Sequence, residues 1–195
     1  MAIYRAPVLK RCQYLDLNPV VLGYSNKGSN RRQKVRRSKQ SEYGRQLIEK
    51  QKVRFIYGVL EKQFKLIYLR AEKMTGITGE NLLQLLERRF DNTIFRLGLA
   101  TTRTQARQWI NHGHFTLNGR RVNIPSVTLN VGDMIGVKEG SKGVIRQAKM
   151  ANKRSVAKWL TLDEDKLEAT LVALPTRQDI DYEVSESAIV ELYSK

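Results

Sequence analysis

The chain has a single cysteine, Cys12, in 195 residues. One thiol excludes an intrachain disulfide framework and a cysteine-rich zinc site, and it suits a reducing, intracellular setting. Long apolar runs are missing too. A membrane-spanning helix needs about twenty such residues, so no membrane partner is expected. The opening MAIYRAPVLKR lacks the apolar core of a signal peptide, and secretion is not expected. Histidine is scarce: His112 and His114, one residue apart in RQWINHGHFTLNGRRVN (107–123), are the only two. On a strand, residues two apart point to opposite faces. No Asp or Glu lies between Asp91 and Asp133 to complete a ligand set. Neither a metal nor a cofactor is therefore expected. The G-x-S-x-G, H-E-x-x-H and G-x-x-x-x-G-K-[ST] signatures are absent as well, and no nucleophile has a base nearby. The expectation is a protein that is not an enzyme and has no small-molecule substrate.

What the chain has is positive charge. Its 35 Lys and Arg stand against 19 Asp and Glu, a net charge of +16. Such an excess marks a polyanionic partner, and with a membrane set aside that partner is nucleic acid. The charge is uneven: residues 161–195 hold nine acids and three bases, whereas KGSNRRQKVRRSKQ (27–40) has seven bases and no acid. A run of that kind repels itself until phosphate neutralises it.

Residues 1–40 have weak periodicity and turn signals at Asn18-Pro19, Leu22-Gly23 and Gly28-Ser29, which suggest loops with short helical pieces. From Ser41 the pattern turns helical. Ser41 can cap a short helix carrying Tyr43 and Leu47, and Ile56, Leu60, Phe64, Ile67 and Ala71 form the stripe of a long one ending at Gly76. Leu82, Leu86, Phe90, Ile94 and Leu97 then predict a single helix stopped by Gly98. Another opens at Thr102, with Gln105 completing a capping box, and stops at Gly113. Beyond it the period becomes two. Phe115 and Leu117, the turn pair Asn118-Gly119, then Val122 and Ile124 predict a type I′ hairpin. SVTLN and DMIGVK predict two further strands. Gly140-Ser141-Lys142-Gly143 matches the G-x-x-G of KH domains but follows a predicted strand, so a flexible loop is expected. Ser185 can cap a last helix bearing Ile189, Leu192 and Tyr193.

The candidate that remains is the segment around the histidines. Arg103 and Arg107, four apart, share one helix face, and the hairpin adds Asn118, Arg120 and Arg121. With Arg88, Arg89, Gln105, Gln108, His112 and His114, these donors suit phosphates, 2′-hydroxyls and exposed bases. The alternative is a solvated helix beside an ordinary hairpin; the charge of the whole chain favours RNA.

ERRFDNTIFRLGLATTRTQARQWINHGHFTLNGRRVNIPS resembles the S-four RNA-binding motif, a helix–helix–hairpin unit also found in pseudouridine synthases, bacterial tyrosyl-tRNA synthetases and small heat-shock RNA binders. The flanks SEYGRQLIEKQKVRFIYGVLEKQF and IVELYSK resemble the bacterial-type small-subunit ribosomal protein S-four family. The resemblance runs nearly end to end. It implies an α+β fold: a mostly helical domain from residues 41–84 with 168–195, an inserted domain at 85–167 with the motif core at about 88–138, and a basic arm at 1–40. It further implies primary binding to the five-prime domain of small-subunit rRNA, early in assembly. Contact with ribosomal protein S-five in decoding accuracy follows, as does a place with S-three and S-five along the channel by which mRNA enters. That last role carries over only generally, to the basic region of residues 31–54, whose Arg31, Arg32, Lys34, Arg36, Arg37, Lys39, Tyr43, Arg45, Lys50, Lys52 and Arg54 are expected to bind RNA and to supply most of the electrostatic attraction. Many relatives hold zinc with four cysteines in the arm. Cys12 alone places this chain in the zinc-free branch. The implied location is the small subunit of a cytoplasmic ribosome, with an organellar ribosome as the alternative. An RNA-modifying enzyme would need a further catalytic domain, for which 195 residues leave no room. A regulator of mRNA, or a basic DNA-binding protein, is the remaining rival.

Overall fold

The computed structural model describes residues 7–25, 41–152 and 154–194. The chain divides into two compact units, one of Met1–Leu82 with Asp181–Lys195 and the other of Leu83–Ile180.

The first unit is helical. Helix α1 (Val8–Leu15) buries Cys12 and Leu15. Helix α2 (Glu42–Tyr57) starts at Ser41, whose hydroxyl accepts from the Gly44 N–H at 3.2 Å, and stops at Gly58, at φ 57°. Helix α3 (Glu61–Glu72) follows at once and turns Phe64, Tyr68 and Ala71 inward. Two helices thus replace the expected pattern of a short piece and one long helix to Gly76. The reason is Gly58, which adopts the left-handed conformation of a helix terminator. Leu60, placed in the apolar stripe by spacing, precedes α3 and is exposed. Helix α4 (Thr78–Glu87) carries the chain out of this unit at Leu82, and it returns for helix α8 (Glu186–Tyr193), which packs against α2. Ser185 makes no side-chain cap to α8; its hydroxyl meets that of Ser187, and its N–H goes to Glu49 Oε2 at 3.0 Å.

The second unit sets helices α5 (Phe90–Arg96), α6 (Arg103–Asn111) and α7 (Lys142–Ala151) with a five-stranded antiparallel sheet. Its strands are β1 (Phe115–Leu117), β2 (Arg120–Arg121), β3 (Met134–Val137), β4 (Leu160–Asp163) and β5 (Glu168–Leu171), in the order β2-β1-β3-β5-β4. Phe115, Ile135, Val137, Leu160, Ala169 and Leu171 face a core shared with Phe90, Ile94, Ala106, Ile110, Ile145 and Trp159. Because β5 lies between β3 and β4, residues 168–180 go with the sheet and not with the helical unit as expected from sequence.

Two further expectations change here. The single helix over 82–97 is broken at Arg88 and Arg89, and SVTLN is no ladder strand. The two facts have one cause. The N–H groups of Phe90 and Asp91, orphaned at the start of α5, donate to the carbonyls of Val127 (2.8 Å) and Pro125 (3.0 Å). Leu129 N–H returns a bond to Arg88 O at 2.9 Å, and Arg89 bridges Thr128. The segment at 125–130 is spent on satisfying a helix break. Gly140-Ser141 leads directly into α7, so the expected loop is a helix start.

Candidate nucleic-acid interface

Helix α6 and the β1–β2 hairpin carry the candidate site. At its start the Thr102 hydroxyl accepts from Gln105 N–H at 3.2 Å. The reciprocal half of the expected capping box shifts by one residue: Gln105 Oε1 takes the N–H and hydroxyl of Thr101 at 2.8 and 2.7 Å. Gly113, at φ 73°, ends the helix and sends the chain into β1.

The arginines are disposed differently from the sequence reading. Arg103 is only 5% exposed; its Nε donates to Asn92 Oδ1 at 2.8 Å, and its guanidinium lies 4.1 Å from the centre of the Phe95 ring. Arg154 covers the same ring at 4.0 Å. Arg107 Nε donates to Asp91 Oδ2 at 2.5 Å. Arg89 forks onto the same carboxylate through Nε (3.1 Å) and Nη2 (2.9 Å). Burial pushes the Asp91 carboxyl up, but Arg107 and Arg89 outweigh it and hold its pKa below the ordinary carboxylate range. Arg88 donates to Leu129 O at 2.8 Å and Asn130 Oδ1 at 2.6 Å. A second buried set joins Glu87 to Arg96 by a fork of 2.8 and 2.9 Å, with Asn92 Nδ2 adding 2.7 Å. Sequence reasoning overlooked Glu87, Asp91, Asn92 and Arg96. The signal was compositional: Glu87 and Asp91 stand among Arg88, Arg89, Arg96, Arg103 and Arg107. Arg103 therefore leaves the outer edge assigned to it, because a desolvated guanidinium must have its partners inside.

What reaches the surface is Gln108, His112, Asn118, Arg120 and Arg121, with Thr104, which the sequence reading missed. Asn118, at φ 51°, and Gly119, at φ 76°, make the expected turn. The Asn118 amide also donates to Asp133 Oδ1 (2.9 Å) and its oxygen accepts from Met134 N–H (2.8 Å), which sets the hairpin against β3. Arg121 Nη2 reaches His112 O at 3.4 Å and lies against Gly113. His114 Nδ1 is hydrogen-bonded to Ser141 Oγ at 2.8 Å, and the two imidazole centres stand 6.0 Å apart. Among the described residues no group of three or more His, Cys, Asp or Glu is placed to hold a metal, and no helix is long and apolar enough to cross a membrane.

In the helical unit, Lys50 is buried and bonded to Glu61 at 2.6 Å, which withdraws it from the outer surface. Arg54 shares that carboxylate at 2.6 Å. Lys52 pairs with Glu49 and Arg45 with Glu42, while Tyr43 is exposed. Arg31, Arg32, Lys34, Arg36, Arg37 and Lys39 lie outside the described residues.

The profile described as the ribosomal protein S4/S9 N-terminal domain matches residues 4–87, and that of the S4 domain matches residues 88–135. The small ribosomal subunit protein uS4 of Lachnospira eligens is 50% identical over 198 residues, covering the whole of both chains. The chain belongs to the uS4 family. The protein of the same description from Agathobacter rectalis is also 50% identical over its full length, and that from Halothermothrix orenii 47%. The α+β fold and the RNA-binding character of this family agree with the site above, and its role is that of a structural ribosomal component, not an enzyme.

Proposed function

We propose that this chain is a primary binder of small-subunit rRNA that nucleates folding of the five-prime domain. The observation that carries this reading is the exposed pair Arg120 and Arg121 beside the polar face of α6, in a chain of net charge +16. Phosphate contacts from such cations position the protein, and hydrogen bonds from the helix select the RNA. Contact with ribosomal proteins S-five and S-three belongs to the same reading, and exposed apolar side chains such as Val144, Met150, Val172 and Leu174 are available to protein neighbours. The accuracy role is proposed to run through the contact with S-five. The basic run at 27–40, with Tyr43 and Arg45, is assigned to the channel by which mRNA enters.

Affinity for the five-prime-domain rRNA, measured across a salt series against an unrelated structured RNA of equal length, tests the reading. Both should weaken as salt rises, with specific binding persisting where the unrelated RNA is lost. Equal affinity at every salt would reduce the chain to a generic polyanion binder.

A further inference from the structure

Helix α3 buries Phe64, Tyr68 and Ala71 on one side. At about 100° per residue, Leu66 and Leu69 fall almost opposite that side. Both are exposed, at 44% and 40%. Lys62 and Lys73 lie on the same outward line, each one turn beyond a leucine, and Lys65 and Arg70 flank it. All four cations are exposed, and nothing among the described residues pairs with them. The acids of the helix do not offset this face. Glu61 is taken by Lys50 and Arg54, and by the same rotation Glu72 falls at the margin.

The arrangement is an apolar seat ringed by cations, since long basic side chains lay their methylene stems along apolar neighbours and keep the charge outside. Three kinds of surface could meet such a ring, and they differ in what they offer the leucines. A folded RNA presents phosphates, hydroxyls and base edges, which answer the cations and leave the leucines in water. A membrane surface takes a helix by a continuous apolar face, and that face of α3 is already spent on Phe64, Tyr68 and Ala71. A second helix with an apolar stripe and acidic flanks answers both parts at once. We infer that the outer face of α3 docks an acidic amphipathic helix of a partner protein. Leu66 and Leu69 pack into its apolar stripe, and Lys62, Lys65, Arg70 and Lys73 meet its carboxylates. This contact lies beyond the rRNA-binding reading above and does not depend on it.

Two synthetic helical peptides of the length of α3 probe the face. Both have glutamate flanks; the first carries a stripe of leucines, and the second has serine at those positions. Their affinities for the full chain, its L66S/L69S variant and its K62A/K73A variant are read by fluorescence anisotropy at low and high salt. Both leucines are exposed, so L66S/L69S should keep the thermal melt of the parent. The parent chain should bind the leucine peptide about tenfold more tightly than the serine peptide. That preference should survive at high salt, because an apolar contact is not screened as charges are. L66S/L69S should lose the preference. K62A/K73A should keep it and bind both peptides more weakly at low salt. Equal binding of the two peptides by the parent chain, or a preference retained in L66S/L69S, would overturn the inference. So would a loss of affinity for the five-prime-domain rRNA in L66S/L69S, which would make the face an RNA contact. Binding to phosphatidylglycerol vesicles that depends on the leucines, with no preference between the peptides, would overturn it in favour of a lipid surface.

Discussion

Asp91 accepts Arg107 Nε at 2.5 Å and the fork of Arg89 at 2.9 and 3.1 Å, so one buried carboxylate ties helix α6 to the break between α4 and α5. Asp91→Asn keeps the shape and removes the charge, leaving two guanidiniums without their counterion. Breaking a buried pair from one side costs about 3–5 kcal/mol. Urea unfolding should show a loss of that order, and a loss below about 1 kcal/mol would mean that water already screens the pair, as at exposed sites.

The same carboxylate predicts how stability responds to acid. Asp91 and Glu61 both have pKa values lowered in the fold, Asp91 by Arg107 and Arg89, Glu61 by Lys50 and Arg54, in each case against burial. The unfolded chain therefore takes up these protons first as pH falls. The contribution is complete above the ordinary carboxylate value of about 4 and is lost as pH drops through the lowered folded values. Midpoints of urea unfolding between pH 7 and pH 2 should stay level for these groups to about pH 4 and then decline. The decline should be shallower in Asp91→Asn, and parallel curves would remove Asp91 from this account.

Gly113 predicts a coupled pair. At φ 73° an alanine is strained, and its Cβ would fall on the Arg121 guanidinium. Gly113→Ala should cost about 1–3 kcal/mol. In an Arg121→Ala background the same change should cost less, since one of its two penalties is gone, and a double-mutant cycle measures the difference. Equal costs in both backgrounds would show that the backbone angle alone matters.

How far these features were legible differs by kind. The hairpin at Asn118-Gly119 and the end of α6 at Gly113 were readable because local backbone chemistry decides both. The break at Gly58 is readable in principle, but the apolar stripe from Ile56 through Leu60 to Phe64 continues across it and masks the glycine. The break at Arg89 had no local signal. It exists because the carbonyls of Pro125 and Val127, over thirty residues away, satisfy the start of α5. Arg103 and Arg107 were readable as residues of a shared helix, yet the direction they face depends on Asn92 and Asp91, which only tertiary structure brings near. Periodicity identifies a polar face without saying which of its charges are spent inside.

Tyr193 predicts the strength of the C-terminal closure of the helical unit. Its ring stacks on Tyr68 at 4.5 Å, and its hydroxyl donates to Glu61 Oε1 at 3.2 Å. Burial first, then the Glu61 charge, raises its pKa well above the ordinary phenol value. Tyr193→Phe removes one hydrogen bond and should cost about 1 kcal/mol. Tyr193→Ala removes the stacked ring as well and should cost about 2–4 kcal/mol, near the lower end for large-to-small changes because the ring is half-buried. Equal losses in the two variants would mean that stacking adds nothing.

The helical unit is written in two distant stretches of sequence, with the whole of the sheet-bearing unit encoded between them. During synthesis α2 and α3 emerge early, yet the helix they pack against, α8, is made last. The contiguous unit from Leu83 to Ile180 has all its strands in hand beforehand. This arrangement predicts the reverse of the usual N-terminal-first order on the nascent chain. The unit bearing helix α6 has all its partners within one stretch, whereas the unit that begins the chain lacks the α8 side of its core until α8 is made.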